Sequence, residues 1–452
     1  SGNLVVSDFG TGTLLIEKGG YVSNVSGDVG NDLTGVGAGT VTVTGMNSTW
    51  TNSSQLNVGF FGTGTLTIAD GGMVSNTTAN IGGQGPLGPF GPSRGTVTVT
   101  GMNSTWTNSG QLRVGLSGTG TLTIANGGVV NVAGNTTIAR NPGSTGTLNI
   151  GSAAGDAPAA PGMLSTGSLE FGDGDGLLTF NHTDLSKNFA FDPAISGNGM
   201  IGHHAGYTNL TGDSSGFTGT TTVDGGTLAV NNMLGGTVSV LSGGILGGTG
   251  SVGATTVSGG GTIAPGDSIG TMRVNGNFTL KSGAIYEVEA NAQGQSDKVI
   301  VKGAVNLTGA TLRVMEASGA YKPKTNYVII DNDGTDAVQG KFAKVTNNLA
   351  FLAPIVDYKG GTGNDVVLTL ERKGNLFSSV AATGNQKAVA TAVEKAPTDN
   401  DLFLSVLNQT IPGARQAFDA LSGEVHATVA VSYTHLTLPT NRVAGGGGGG
   451  GG

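Results

Sequence analysis

The sequence predicts an all-β protein, a right-handed parallel β-helix, and three observations carry that prediction. The stretch "GTVTVTGMNSTWTNSSQLNVGFFGTGTLTIADGG" at residues 39–72 returns at residues 95–128 as "GTVTVTGMNSTWTNSGQLRVGLSGTGTLTIANGG". Trp50 and Trp106 stand 56 residues apart, and 30 of the 38 positions compared between 39–76 and 95–132 are identical. Repeats of this length build solenoids, propellers or arrays, not a single globule. Within each copy the apolar residues recur every second position: Val41 and Val43, Leu56 and Val58, Leu66 and Ile68. That is the period of a strand with one buried face. Finally, 84 of the 452 residues are glycine and only 11% are charged. This suits short strands separated by turns, and it lacks the charge of a disordered chain and the every-third-residue glycine of collagen.

One copy holds six strand-like runs, "TVTVT", "STWTN", "QLNVG", "GTLTIA", "MVSNT" and "ANIGG", with Gly45, Gly59, Gly62 and Gly72 between them. Six short strands make two coils of three, so repeat-related residues should lie two coils apart. Trp50 and Trp106 are then about 10 Å apart along the axis at ~4.8 Å per parallel strand. A propeller would want four longer strands per blade and more aromatics than the 5% present. Outward Thr and Asn can form polar ladders. The repeated Trp reads as core filler or cap, with a sugar-binding aromatic ladder as the alternative. "GGQGPLGPFGPSRG" at residues 82–95 reads as a loop thrown out between coils.

Along the chain, residues 1–165 form the 56-residue-repeat β-helix and residues 166–250 continue it in a degenerate form. From residue 251 to 372 the character changes. Tyr286, Glu287, Glu289, Lys298, Tyr327 and Asp331 appear, and runs such as "DKVIV", "NYVII" and "NDVVLTL" are longer and more β-branched. A solenoid end is a row of unpaired backbone groups and needs a cap, and this region reads as that cap, with Ile300 and Val328 as core positions. Residues 376–396 are rich in Ala, Lys and Glu at helical spacing, with Val380, Val389 and Val393 able to share a face. A second helix fits residues 412–427, with Pro412 in its first turn.

Several segments resemble a known family. "GDSSGFTGTTTVDGGTLAVNNMLGG" at residues 212–236 is similar to the passenger-associated repeat of bacterial autotransporters, the type V secretion proteins. The stretch "APGDSIGTM…AIYEVEANAQGQSDKVIV" is similar to the autochaperone-like end of such a passenger, and "NQKAVATAVEK" with "ARQAFDALSGEVHATV" to the helical lead-in to a translocator barrel. The resemblance covers nearly all of residues 1–430. It implies a surface-displayed or secreted passenger of a Gram-negative bacterium, with a role in adhesion, aggregation or as a stalk. Its implied partners are an outer-membrane translocator barrel, which this sequence lacks, the outer-membrane assembly machinery, and glycans or proteins of host or bacterial surfaces. Residues 373–430 then link to that barrel. Residue 1 lies inside a repeat-like stretch, so the chain reads as truncated at both ends. "VSYTHLTLPTNRVAGGGGGGGG" at residues 431–452 resembles a translated sequencing adapter with poly-G, and is expected to be disordered.

Chemistry is sparse. The net charge of −8 gives no basic patch for nucleic acid. The absence of cysteine fits either an unstapled fold or a chain that crosses a membrane unfolded. "GDSSG" with Ser214 and "GDSIG" with Ser268 look like a protease nucleophile loop. Of the five histidines, however, none of His182, His203, His204 and His426 has a protease context, and His435 lies in the tail. Adjacent His203 and His204 face opposite ways on a strand and are poor joint metal ligands. "GGTGNDVVL" (360–368), "DNDGTD" (331–336) and "GDGDG" (172–176) carry carboxylates in patterns read as turns, lacking the tandem copies or terminal Glu of calcium loops. The "NST", "NTT" and "NLT" sequons read as Asn/Thr-rich turns. No catalytic, cofactor-binding or metal-ligating residue is assigned, no cofactor is expected, and the chain is expected not to be an enzyme.

Overall fold

The computed structural model describes residues 2–423 apart from 33–36, 84–92, 334–335, 373 and 375. The central part of the expected loop at 82–95, and the tail from residue 431, therefore lie outside the described residues. The chain winds into stacked coils. In the repeats each coil has three strands, for example Thr63–Ala69, Met73–Asn76 and Thr78–Ile81, followed by Arg94–Thr100, Thr105–Asn108 and Leu112–Val114. Successive coils pair in parallel, Leu66 with Val97, Val74 with Trp106 and Ala79 with Leu112. The three resulting sheets are called here the long face, the Trp face and the short face. All six strand-like runs of the first repeat copy are strands, and the 56-residue repeat is two coils.

The two-coil period has a packing cause. Trp50 pairs with Val74, and Val74 with Trp106. On the next coil comes Val130, and all four side chains are buried. Coils are only ~4.8 Å apart, so two indoles cannot occupy one column in neighbouring coils without overpacking. Large and small residues alternate instead. Each indole N–H also needs an acceptor once buried. Trp50 Nε1 donates to Asn24 Oδ1 and Trp106 Nε1 to Asn76 Oδ1, both at 2.7 Å. These asparagines have the inward parity of the Trp and bond onward along the axis, Asn24 to Asn52 at 2.7 Å and Asn76 to Asn108 at 2.6 Å. The ladder stops where Val132 replaces Asn, leaving Asn108 Nδ2 without a partner. At the corner after the short face the backbone needs a left-handed turn. Gly59, with φ of 68°, sits so close to the next coil that a Cβ would lie 1.9 Å from the Arg94 carbonyl oxygen.

The sheets do not all run the length of the chain. The last Trp-face strand is Met163–Ser165 and the last short-face strand is Ala194–Ser196. A new sheet starts at Ala190–Phe191 and continues to Lys344–Thr346, while the long face persists alongside it. Parallel stacking ends in the strands Lys324–Asn332, Ala353–Gly360 and Asp365–Glu371, where the third pairs antiparallel with both others. Two expected core positions face the other way. Ile300 is half-buried and Val328 is 39% exposed, whereas Val299, Val301, Tyr327 and Ile329 point inward. "VIV" and "YVII" are apolar at both parities, so the outward face is marked only by Lys298, which shares the parity of Ile300, and by Asn326, which shares that of Val328.

Three helices pack on this end. After a 3₁₀ turn at Phe377–Val380 come α1 (Gly384–Glu394), α2 (Asp401–Leu407) and α3 (Ile411–Ser422). Thr383 caps α1 and Thr410 caps α3, Pro412 lies in the first turn of α3, and Gly423 closes it with φ of 75°. Residues 424–427 of the expected second helix lie outside the described residues, and α2 was not expected. Phe351, Phe377 and Phe403 form a ring cluster with centroids 4.8 and 5.1 Å apart. The Arg372 guanidinium lies over Phe377 and Phe403, at 4.2 and 4.5 Å from their centroids, and pairs with Glu394. Asn408 accepts the Tyr321 N–H at 2.9 Å, and the Ala350 N–H reaches the Gln409 carbonyl at 3.0 Å.

Candidate functional surfaces

An elongated solenoid offers its outer columns to solvent, one residue per coil. On the long face one column reads Thr13, Thr40, Thr65, Thr96, Thr121 and Thr147. The column two residues along reads Thr42, Thr67, Thr98 and Thr123. On the short face the corresponding column is a hydrogen-bonded ladder from one charge to the opposite one, and its two asparagines, Asn57 and Asn80, are buried between the charged ends. Arg113 donates to Asn80 at 3.1 Å, Asn80 to Asn57 at 2.8 Å and Asn57 to Asp28 at 2.7 Å. On the Trp face the column is mixed: Tyr21, Thr49, Met73, Thr105, Val129 and Met163. Tyr21 and Met163 are 68% and 59% exposed.

The titratable groups gather where the sheets change. His203 occupies a core column of the long face, between Phe180 on one coil and Val223 on the next. The register slips by one residue after Phe180, so His204 is the extra residue of a bulge and turns outward, where its Nδ1 meets Asp224 at 2.7 Å. His203 and His204 thus point apart, as the strand geometry predicts. His182 and His203 instead converge on one buried hydroxyl, Thr208 Oγ1, at 2.8 and 3.1 Å. His203 Nδ1 donates to the Gly225 carbonyl at 2.8 Å, so its Nε2 accepts the Thr208 proton. His182 Nε2 then donates to the Thr208 oxygen, and its bare Nδ1 has no partner. Burial, with only partial compensation from Asp184 for His182 and from Asp224 and the Gly225 bond for His203, holds both imidazoles at about 4. This is a neutral network that locks a turn of the core.

A second group lines a groove beside the newer sheet. Lys187 lies 3.7 Å from Asp267, and Tyr207 Oη donates to Asp267 at 2.5 Å. Asp297 completes the groove with Glu287 and Glu289. Its carboxylate accepts the N–H groups of Gly270 and Glu289 at 2.8 and 2.7 Å, yet burial, with repulsion from Glu289 and Glu287, pushes it up to about 7.

The sequence motifs fall apart in space. Ser214 lies in the short strand Asp213–Ser214, not in a turn, and its Oγ accepts the Ile195 N–H at 3.0 Å. Ser268 sits exposed in a bend. Among the described residues neither serine bonds a histidine, and no three His, Cys, Asp or Glu side chains converge as a metal site. The 360–368 motif is a hairpin bend whose Asp365 carboxylate accepts the Asn332 and Thr362 N–H groups at 3.0 and 3.1 Å. Asp331 pairs with Lys298 at 3.1 Å, and residues 334–335 of that motif lie outside the described residues. Asp175 of "GDGDG" opens a strand that follows the bend. Asn47 and Asn103 of the "NST" sequons take left-handed turns with φ of 64° and 65°. Sequence reasoning missed Thr208 and the inward Asn ladder. The ladder had a signal, because Asn52 shares its parity with Trp50 in "TWTN".

No family model matches the chain. Curated proteins match parts of it. An adhesin autotransporter (BmaC) of Brucella suis is 37% identical over 254 residues, 54% of this chain and 7% of the adhesin. An uncharacterized lipoprotein (YdeK) of Escherichia coli K12 is 37% identical over 186 residues, 40% of this chain and 13% of the lipoprotein. An extracellular serine protease of Serratia marcescens is 34% identical over 212 residues, 44% of this chain and 19% of the protease. The chain therefore spans less than a fifth of the length of each of these relatives.

Proposed function

We propose that this chain is a stretch of an autotransporter passenger, displayed on or released from a Gram-negative cell, and that it serves adhesion or aggregation, or acts as a stalk, without catalysing a reaction. The observation that carries this reading is the unbroken parallel stacking of the long face, joined to the partial match with an adhesin autotransporter. A stacked solenoid extends by about 4.8 Å per coil and presents the same outward columns along its length, which suits presentation at a distance from the membrane. A translocator barrel and the outer-membrane assembly machinery are the partners such a passenger requires, and surface glycans or proteins are the ligands an adhesive one would take.

The test is to coat beads with the full chain and score attachment to bacterial and epithelial cells, and clumping of the beads themselves. Attachment or clumping blocked by antibody against the outer columns supports adhesion, and inert beads leave the stalk role. The extracellular serine protease among the relatives favours a second reading, a stalk for a catalytic part elsewhere in a longer protein. Hydrolysis of peptide or ester substrates by this chain, abolished by Ser214→Ala or Ser268→Ala, would overturn the non-catalytic reading in either form.

A further inference from the structure

The outer surface of the long face has a regularity that its neighbours lack. Threonine fills one outward column in six successive coils and the adjacent column in four. The Trp face puts Tyr, Thr, Met, Thr, Val and Met in the equivalent column, so strand propensity alone does not impose threonine. The pairings from Thr11 to Asn181 contain no register shift; the first on this face comes after Phe180. The array is therefore a grid of hydroxyls repeating at ~4.8 Å along the axis and about 6.6 Å along each strand. Threonine is stiff at χ1, so each hydroxyl and methyl is restricted in direction. Among the described residues the Thr40, Thr42, Thr65, Thr67, Thr96, Thr98 and Thr121 hydroxyls bond to no other side chain; Thr123 accepts from Asn149 at 3.1 Å, where the grid ends. No charge stands within the two columns.

A ligand for such a face must repeat in two directions, offer donors and acceptors at every point and carry no charge. Anionic glycans and nucleic acid want cations, and flat sugar chains want exposed rings, neither of which stands in the two columns. An ordered water lattice meets every condition. The two repeats lie near those of the oxygen rows on a prism face of hexagonal ice. Methyl groups between the hydroxyls hold first-shell water in cages while the hydroxyls anchor it, and a rigid grid needs little ordering on contact. We propose that the threonine face of residues 40–123 binds ice.

This inference does not rest on the passenger reading. The test is partition of the full chain into a slowly growing ice hemisphere, with crystal shaping and inhibition of ice recrystallisation read alongside. The chain should concentrate in the ice, where a control globular protein is excluded. Thr67→Tyr combined with Thr96→Tyr should lower incorporation at least about tenfold, with the melting temperature unchanged. Thr49→Tyr on the Trp face should leave incorporation unchanged. Exclusion of the parent chain from ice would overturn the proposal. So would incorporation that survives the double substitution in a folded variant, or threonine-dependent binding to crystalline chitin or cellulose without ice binding.

Discussion

Between residues 38 and 151 every coil solves the same packing problem in the same way, whereas between residues 285 and 422 each layer differs from the last. In the first region the core columns are Val, Leu and Ile in step, the polar groups are Asn ladders, and charges are almost absent. In the second, buried tyrosines reach across to backbone carbonyls: Tyr286 Oη to Ile329 at 2.6 Å, Tyr321 Oη to Ala290 at 2.7 Å and Tyr327 Oη to Asn291 at 2.8 Å. Charges pair along the outside, Arg313 with Glu287 at 2.9 Å and Lys298 with Asp331 at 3.1 Å. Repetition lets coils be added without limit, since each new coil meets a copy of the surface it leaves behind. Difference stops the addition. An antiparallel pair cannot template another parallel strand in the same register, and helices on the end cover backbone that would otherwise recruit one.

The contrast makes the C-terminal region the more tightly specified one, and a buried charge there should have the largest effect. Val299→Asp places an unpaired carboxylate in the core and should cost on the order of 4 kcal/mol or more, abolishing the protease-resistant unit within residues 251–422. Ile300→Asp, one residue along and on the outer side, should leave that unit resistant. If both behave alike, the inward parity assigned to this strand is wrong. Next in size, Trp106→Ala should cost about 3–5 kcal/mol, read by urea unfolding, because it opens a large cavity and strands the Asn76 acceptor. The protease-resistant C-terminal unit should survive it; loss of that unit would show that the repeats support the cap rather than the reverse.

Acidity should separate the two halves by sign. His182 and His203 titrate at about 4 when folded and near 6.5 when unfolded, so the unfolded chain takes up their protons first. Stability around residues 182–225 is full above pH 6.5 and falls as the pH drops toward 4. Asp297 is the opposite case, at about 7 folded against 3.8 unfolded, so its contribution is full below 3.8 and lost as the pH rises through 7. Hydrogen exchange corrected for intrinsic rates should therefore show residues 182–225 better protected at pH 7.5 than at pH 5, and strands near Asp297 less so. Asp297→Asn should remove the second trend and leave the first. The smallest effect belongs to the exposed pairs: Lys298→Ala should shift stability by less than about 1 kcal/mol, and a larger shift by thermal unfolding would mean that its stem packs as well.

Much of this architecture was legible in the sequence because repetition amplifies a weak signal. A single "TVTV" could be many things, but two copies 56 residues apart fix strand boundaries, coil number and the place of the Trp. The C-terminal region gives no such second copy. Its runs "VIV" and "YVII" are apolar at both parities, so the faces of Ile300 and Val328 read wrongly, although Lys298 and Asn326, each two residues earlier, marked the outside. The short α2, "DLFLSVL", is held by the ring cluster more than by its own pattern. The histidine network was hidden for another reason: His182, His203 and Thr208 meet through a bulge and a coil crossing, and nothing in their spacing announces a shared hydroxyl.

The alternation of Trp and Val in one core column also governs how such a chain can change length over generations. The two near-identical copies are natural sites for unequal recombination, and an exchange between them removes or adds 56 residues at a stroke. Because that unit is two coils, the product still sets a small residue against every indole, and every corner glycine still meets its neighbour's backbone. Loss of a single coil would bring Trp onto Trp. The solenoid can therefore be lengthened or shortened in steps of about 10 Å without any compensating substitution, so its reach can drift or be selected while its core and its outward columns stay the same.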